Sequence, residues 1–184
     1  MANASKNKGD RGEREAISVL RELVGDLLLD GNDRARSAGI PKDRGDLYAL
    51  ADVAIQVKHP AASRLGTELL AAAHTSVDQA ANGYKPLALG MVSIHGARRT
   101  GVRWLAAMIP AQAEALGLTP VADFKTISKL REWIGDDIGP HGFLAYERSN
   151  RVGSFCVGAR SIIVAPIEAW THAYRRYLGR PAAA

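Results

Sequence analysis

Four side chains in the first third of the chain have the types and spacing to do chemistry: Glu13, Asp46, Gln56 and Lys58. Nine residues separate Asp46 from Gln56, and Lys58 follows two positions on. If Gln56 and Lys58 share a strand, alternation sends both to one face. Magnesium takes hard oxygen ligands in octahedral geometry and keeps several waters. Asp46 can supply a carboxylate, Gln56 an amide oxygen and Val57 a backbone carbonyl. A lysine beside such an ion can orient an attacking water and offset charge on a phosphate. Glu13 lies near the start of a predicted helix. The plain alternative is structural. Acids favour helix N-termini through the dipole, and a lysine on a strand blunts a sheet edge.

These residues need elements to hold them. Residues 1–9 are small and polar and read as a flexible start, with a helix beginning near Asp10. Ala16, Ile17, Leu20, Leu23, Val24 and Leu27 recur at helical spacing. Gly25 or Leu28 ends it. Residues 30–45 are full of breakers and charge and read as a loop or irregular hairpin. Asp46–Leu50 and Ala51–Lys58 read as two short strands, the second alternating Val53, Ile55 and Val57 with Ala54, Gln56 and Lys58. Residues 63–82 are Ala-rich and helical, stopped by Asn82-Gly83.

Pro86–His95 and Val102–Ile109 read as a strand pair, and Pro110–Leu116 as a helix with proline in its first turn. Phe124–Ile134 reads as a helix. Gly142–Arg148 and Ser154–Val164 read as strands with a turn at Asn150–Gly153, and Pro166–Leu178 as a closing helix. Two stretches, Leu87–Leu116 and Gly142–Trp170, share a plan of strand, basic Gly turn, strand, Pro and helix.

The chain has 184 residues, with 47% hydrophobic and 23% charged, enough to bury a core as one domain. No apolar run is long enough for a membrane span, and the polar start is not a secretory signal. The single cysteine, Cys156, cannot form an internal disulfide, which points to a reducing, cytoplasmic setting. It lies in an apolar stretch and reads as a buried small residue. His59, His74, His95, His141 and His172 lack ligand spacing. Net charge is +5. Residues 1–60 carry ten basic and ten acidic side chains, so all of the excess lies downstream. Arginine outnumbers lysine seventeen to seven, which suits planar contacts to phosphate or carboxylate.

The order Lys8-Gly9, Glu13-Arg14, Ser37-Ala-Gly39, Asp46, then Gln56-Val-Lys58 resembles the PD-(D/E)XK nuclease superfamily, and within it the archaeal-type Holliday junction resolvases. The resemblance covers about residues 6–80. It has two departures. The proline usual before the first acid is Gly45, a change expected to matter little because that proline shapes backbone only. The second acid is Gln56, a weaker ligand, for which Glu13 on the first helix can compensate.

The resemblance implies an α/β fold: a restriction-endonuclease-like core with a mixed central sheet flanked by helices. Residues 10–95 would form the catalytic core, and residues 96–184 would complete the sheet with a hairpin-plus-helix extension. It implies that Glu13, Asp46, Gln56 and Val57 hold Mg²⁺ or Mn²⁺ and that Lys58 sits beside the nucleophilic water. Ser37 matches a serine of the resolvase loop. Gln79 is similar to a glutamine of RecB-like members, with Tyr84 five residues later; the alternative is a solvent-exposed helical glutamine. Arg34, Arg36, Arg98, Arg99 and Arg103 are candidate DNA contacts, with Lys125 and Lys129 behind them.

The expected activity is Mg²⁺-dependent endonucleolytic hydrolysis of DNA, on branched substrates such as four-way junctions, by a homodimer. It would take place in a bacterial cytoplasm, encoded by the cell or by a phage. A RecB-like exonuclease or a restriction or repair nuclease of the same fold is one alternative. A decayed, DNA-binding relative is the other.

Overall fold

A run of β-branched and aliphatic residues at 53–58, 87–95, 102–108 and 153–166 builds the sheet, and Ala/Leu-rich segments between them build the helices. The computed structural model describes residues 4–29, 43–95, 102–135 and 151–179. In chain order the elements are α1 (Ala4–Val24), β1 (Val53–Lys58), α2 (Leu65–Gly83), β2 (Leu87–His95) and β3 (Val102–Met108). Then come α3 (Pro110–Ala115), β4 (Ala122–Phe124), α4 (Ile127–Gly135), β5 (Gly153–Val157), β6 (Arg160–Pro166) and α5 (Ile167–Tyr177). The result is an α/β fold with a mixed six-stranded sheet in the order β1-β2-β3-β6-β5-β4.

The sheet reads the same from either edge. β1 and β2 are parallel, as are β4 and β5, while β2–β3, β3–β6 and β6–β5 are antiparallel. α2 joins β1 to β2, and α4 joins β4 to β5; α3 follows β3, and α5 follows β6. Each half is therefore a strand–helix–strand–strand–helix unit, and the two meet at β3 and β6 around a pseudo-twofold. A glycine lies under the crossing helix in each half. A Cβ on Gly90 would come 2.7 Å from the Ala72 Cβ of α2, and one on Gly153 would come 3.1 Å from the Trp133 ring of α4. Close packing of a helix on a sheet is what excludes a side chain there.

Alternation divides the core. Ile55, Val57, Leu89, Met91, Trp104, Ala106 and Ile163 face α1, α3 and α5. Val92, Leu105, Ala107, Phe155, Ile162 and Val164 face α2 and α4. Among the described residues no helix is long and apolar enough to cross a membrane.

Several elements differ from the sequence expectation. α1 starts at Ala4, six residues before Asp10, so most of the supposed flexible start is helical; a 3-10 turn at Gly25–Leu27 follows it. Asp46–Leu50 is not a strand: only Leu47 bridges to Ile55, and the strand starts at Val53. Phe124 belongs to a short strand, and its helix starts at Ile127. A three-residue strand is too short to show a period of two. Ser154–Val164 is not one strand but the hairpin β5–β6, turned at Gly158 with φ +60°. The strand, turn, strand, Pro and helix plan noted in the sequence recurs as topology in β5, β6 and α5; the expected strand Gly142–Arg148 lies outside the described residues. Cys156 is half-buried, between the hydroxyls of Ser154 and Ser161 at 3.4 Å each, and these lower its thiol pKa.

Candidate functional site

β1 is an edge strand, and its open side is where the acid arrives. Asp46 and Leu47 run antiparallel to it: their N–H groups donate to the Ile55 carbonyl at 2.8 and 3.3 Å. Gly45 makes that approach possible. Its φ is +113°, and a Cβ there would meet the Ile55 carbonyl oxygen at 3.1 Å. Proline is locked near φ −65°, so the family's proline cannot occupy this backbone. The departure at Gly45 is therefore a different turn, not the minor change expected. Asp43 builds that turn: its Oδ1 accepts the Gly45 N–H at 3.1 Å, an Asx turn.

The Asp46 carboxylate sits against the strand. Oδ2 accepts the Val57 N–H at 2.8 Å and a hydrogen bond from Gln56 Nε2. Within a strand the N–H and C=O of one residue point to the same side, so the Val57 carbonyl also faces the open edge. It accepts a hydrogen bond from Gln56 Nε2 at 3.4 Å. Burial raises the Asp46 pKa from 3.8 to about 6. The Val57 N–H and the Lys58 charge pull it down, and the charges of Glu13 and Asp43 push it up. Glu13 and Lys58 therefore both lie within electrostatic reach of Asp46. They come from opposite faces: Gln56 and Lys58 point toward α2, Glu13 comes from α1, and Asp46 lies at the edge between.

Gln56 is 4% exposed and Gln79, on α2, 1% exposed. Gln79 Nε2 donates to Gln56 Oε1 at 2.7 Å and to Asp43 Oδ2 at 2.8 Å. Asn82 Nδ2 donates to the Asp43 carbonyl at 2.8 Å. The reading of Gln79 as a solvent-exposed helical residue is wrong; it is the buried hinge of a chain Asp43–Gln79–Gln56–Asp46. Asp43 was not singled out from sequence. The signal was present in Asp43-Arg-Gly45, an Asx-turn pattern just before the first acid.

The donor set can be tested against a divalent cation. Among the described residues no three His, Cys, Asp or Glu side chains group as a metal cluster. Asp46, Glu13 and the edge carbonyl of Val57 remain, and magnesium is commonly held by one or two carboxylates plus waters. A carboxylate whose pKa burial raises to about 6 next to a second acid also gains from a cation. These groups fit. The Gln56 oxygen joins them only if its amide turns over, because in this arrangement it is taken by Gln79.

Ser37, Arg34, Arg36, Arg98 and Arg99 lie outside the described residues, and Arg103 is placed only by its backbone, opposite Ile94 on β3. Lys125 and Lys129 lie in the second half, beside β4 and on α4. Arg14, next to Glu13 on α1, and Arg44, next to Gly45, are exposed. No protein-family model, curated protein or solved structure matches the chain.

Proposed function

We propose that the chain is a Mg²⁺-dependent endodeoxyribonuclease of the PD-(D/E)XK type, acting on branched DNA in the manner of a Holliday junction resolvase. The observation that carries this is the half-buried Asp46 at the edge of β1, hydrogen-bonded by Gln56 and the Val57 N–H and within electrostatic reach of Glu13 and Lys58. Asp46, Glu13 and the Val57 carbonyl would hold the cation. When bound, it lowers the pKa of water and neutralises charge on the scissile phosphate. Lys58, half-buried beside Asp46, orients the attacking water and donates to a phosphate oxygen. Arg14 and Arg44 hold the backbone on either side of the phosphate.

The pseudo-twofold supports a dimer for paired cuts. Gly90 and Gly153 occupy matching places, and their edge neighbours are Gln56 and Ala122. Two residues on stand Lys58 and Phe124, so the second half repeats the fold without the polar pair. Two symmetric nicks then need two chains.

One observation favours a second reading. Gln56 presents its amide nitrogen, not its oxygen, to Asp46, as a decayed site that only binds DNA would. Buried Gln79 also keeps the RecB-like alternative open. Labelled four-way junction, duplex and single strand, incubated with Mg²⁺, separate these. Symmetric nicks in the junction support the proposal. Progressive loss from ends selects the exonuclease. Salt-dependent binding without cutting selects the decayed site. Unchanged cutting by Asp46→Ala and Lys58→Ala sinks every enzymatic version.

A further inference from the structure

His59, which lacks ligand spacing in the sequence, sits at the centre of contacts from three elements. It follows Lys58 directly, so alternation turns it to the opposite face, toward α1. Its side chain is only 4% exposed. Ser93 Oγ of β2 lies 2.9 Å from Nδ1. Arg11 Nη2 of α1 lies 3.4 Å from Nε2. Glu15 Oε2 of α1 lies 3.9 Å from Nδ1, and Glu15 pairs in turn with Arg11 at 3.3 Å. The Trp104 ring of β3 is 6.4 Å away. A Cβ on Gly12 would lie 3.0 Å from the His59 Cβ, so α1 packs on His59 with little room for a side chain at residue 12. Gly9, the glycine of the recognised motif, has nothing within 4 Å of its would-be Cβ.

A guanidinium can only donate. With Arg11 donating to Nε2, a neutral His59 carries its proton on Nδ1 and donates to Ser93 Oγ. The ring thus spans from the sheet to α1 with a fixed direction. Its contacts on α1 are residues 11, 12 and 15, which bracket Glu13.

We propose that His59 is a positioning residue: by tethering Arg11, Gly12 and Glu15 to Ser93 it sets where α1 presents Glu13 to Asp46. This rests on the nuclease reading, in which Glu13 and Asp46 share a cation. Outer groups that orient ligands typically change metal affinity by about 10–100-fold when removed. His59 would act on cation affinity through Glu13 and not on the chemical step.

The test compares wild type, His59→Ala, His59→Gln, Arg11→Gln and Glu13→Gln, plus the His59→Ala/Glu13→Gln double variant. Mn²⁺ binding to DNA-free protein is read by electron paramagnetic resonance, and Mg²⁺ dependence by junction cleavage. His59→Ala should weaken Mn²⁺ binding and raise the Mg²⁺ needed for half-maximal cutting by about tenfold. The rate at saturating Mg²⁺ should change by less than about threefold. His59→Gln, which keeps an acceptor toward Arg11, should recover part of the loss. In the Glu13→Gln background, His59→Ala should add nothing, because both act through one carboxylate. Arg11 is exposed, so Arg11→Gln tests the same tether even if emptying the buried His59 position prevents folding.

Unchanged cation dependence in His59→Ala and Arg11→Gln, with wild type active, overturns the positioning role alone. So does a full additional loss in the double variant, which would mean a purely structural histidine. Wild type that neither binds Mn²⁺ nor cuts refutes the nuclease reading itself, and the positioning role with it.

Discussion

Gln79 Nε2 lies 2.7 Å from Gln56 Oε1, and this one hydrogen bond fixes which end of the Gln56 amide meets Asp46. Gln56 then donates to Asp46 through its nitrogen. Reversing Gln56 alone would put its amide nitrogen against that of Gln79 and its oxygen against a carboxylate. The chain Asp43–Gln79–Gln56–Asp46, buried at its two glutamines, therefore has a single sense in the absence of a cation. A cation at Asp46 would favour the other.

Replacing Gln79 with Leu removes a donor from the buried Gln56 amide oxygen and from the exposed Asp43 carboxylate. An unsatisfied buried acceptor costs about 1–3 kcal/mol. Gln79→Leu should lose that much stability by urea unfolding, with an unchanged m-value. It should also free Gln56 to turn, so the Mg²⁺ needed for half-maximal cutting should fall or stay level, not rise. A variant as stable as wild type would mean that the chain contributes nothing to holding α2 against β1.

The pH dependence follows from Asp46. Its folded pKa is about 6 against an ordinary 3.8, chiefly because burial disfavours the charge. The folded chain binds more protons than the unfolded chain between those values. Its contribution to stability is complete below about pH 4 and is lost as pH rises through about 6. Two units correspond to on the order of 3 kcal/mol. The difference in unfolding free energy between wild type and Asp46→Asn should therefore move in favour of Asn by that amount from pH 4 to pH 7. Parallel curves across that range would refute the burial of an ionised Asp46. At pH 8, Mg²⁺ at a hundredfold excess over its dissociation constant should return about 2.7 kcal/mol to wild type. It should return nothing to Asp46→Asn, as read by thermal unfolding with and without EDTA.

Gly45 holds a backbone that other residues resist. At φ +113°, with the Ile55 carbonyl 3.1 Å from a would-be Cβ, Gly45→Ala meets both a left-handed penalty and a contact. Such strain costs on the order of 1–3 kcal/mol. The variant should lose stability in that range and also lose the alignment of Asp46 with Val57, seen as a fall in cutting beyond the fall in folded fraction. Gly45→Pro should not fold this turn at all, since φ near −65° is incompatible with it.

How much of this could be read from the chain depends on the length scale of each signal. β1, α2, β2 and β3 have enough residues to show their period, and the sequence places all four to within two residues. Gln56 and Lys58 share a face as the spacing requires. β4 has three residues and no period to read. The β5–β6 hairpin is hidden in the sequence because Gly158-Ala159 is a weak turn signal between two short apolar segments. Asp43, Gln79 and His59 were missed or misjudged for a different reason. Each takes its role from long-range contacts across 34 to 36 positions of sequence, and nothing local distinguishes a buried Gln or His from an exposed one. The pseudo-twofold was faint because Ala122 and Phe124 stand where Gln56 and Lys58 stand in the first half. The two halves share backbone, not chemistry.

Gln56→Glu is the substitution on which the two readings of the site diverge most. It places a third acid beside Asp46 and Glu13. The hydrogen bond from Gln56 Nε2 to Asp46 is lost and replaced by carboxylate repulsion, while Gln79 Nε2 can still donate to the new side chain. Without a cation the variant should be less stable than wild type at pH 8 by about 1–3 kcal/mol, and the deficit should shrink at pH 5 as the acids protonate. With Mg²⁺ the order should reverse, because a carboxylate binds a hard cation more strongly than an amide does. The Mg²⁺ needed for half-maximal junction cleavage should then fall below that of wild type. If wild type is inert and Gln56→Glu cuts, the natural site is a decayed one. If wild type cuts and Gln56→Glu needs more Mg²⁺, not less, then residue 56 does not turn toward the cation, and Asp46, Glu13 and Val57 hold it alone.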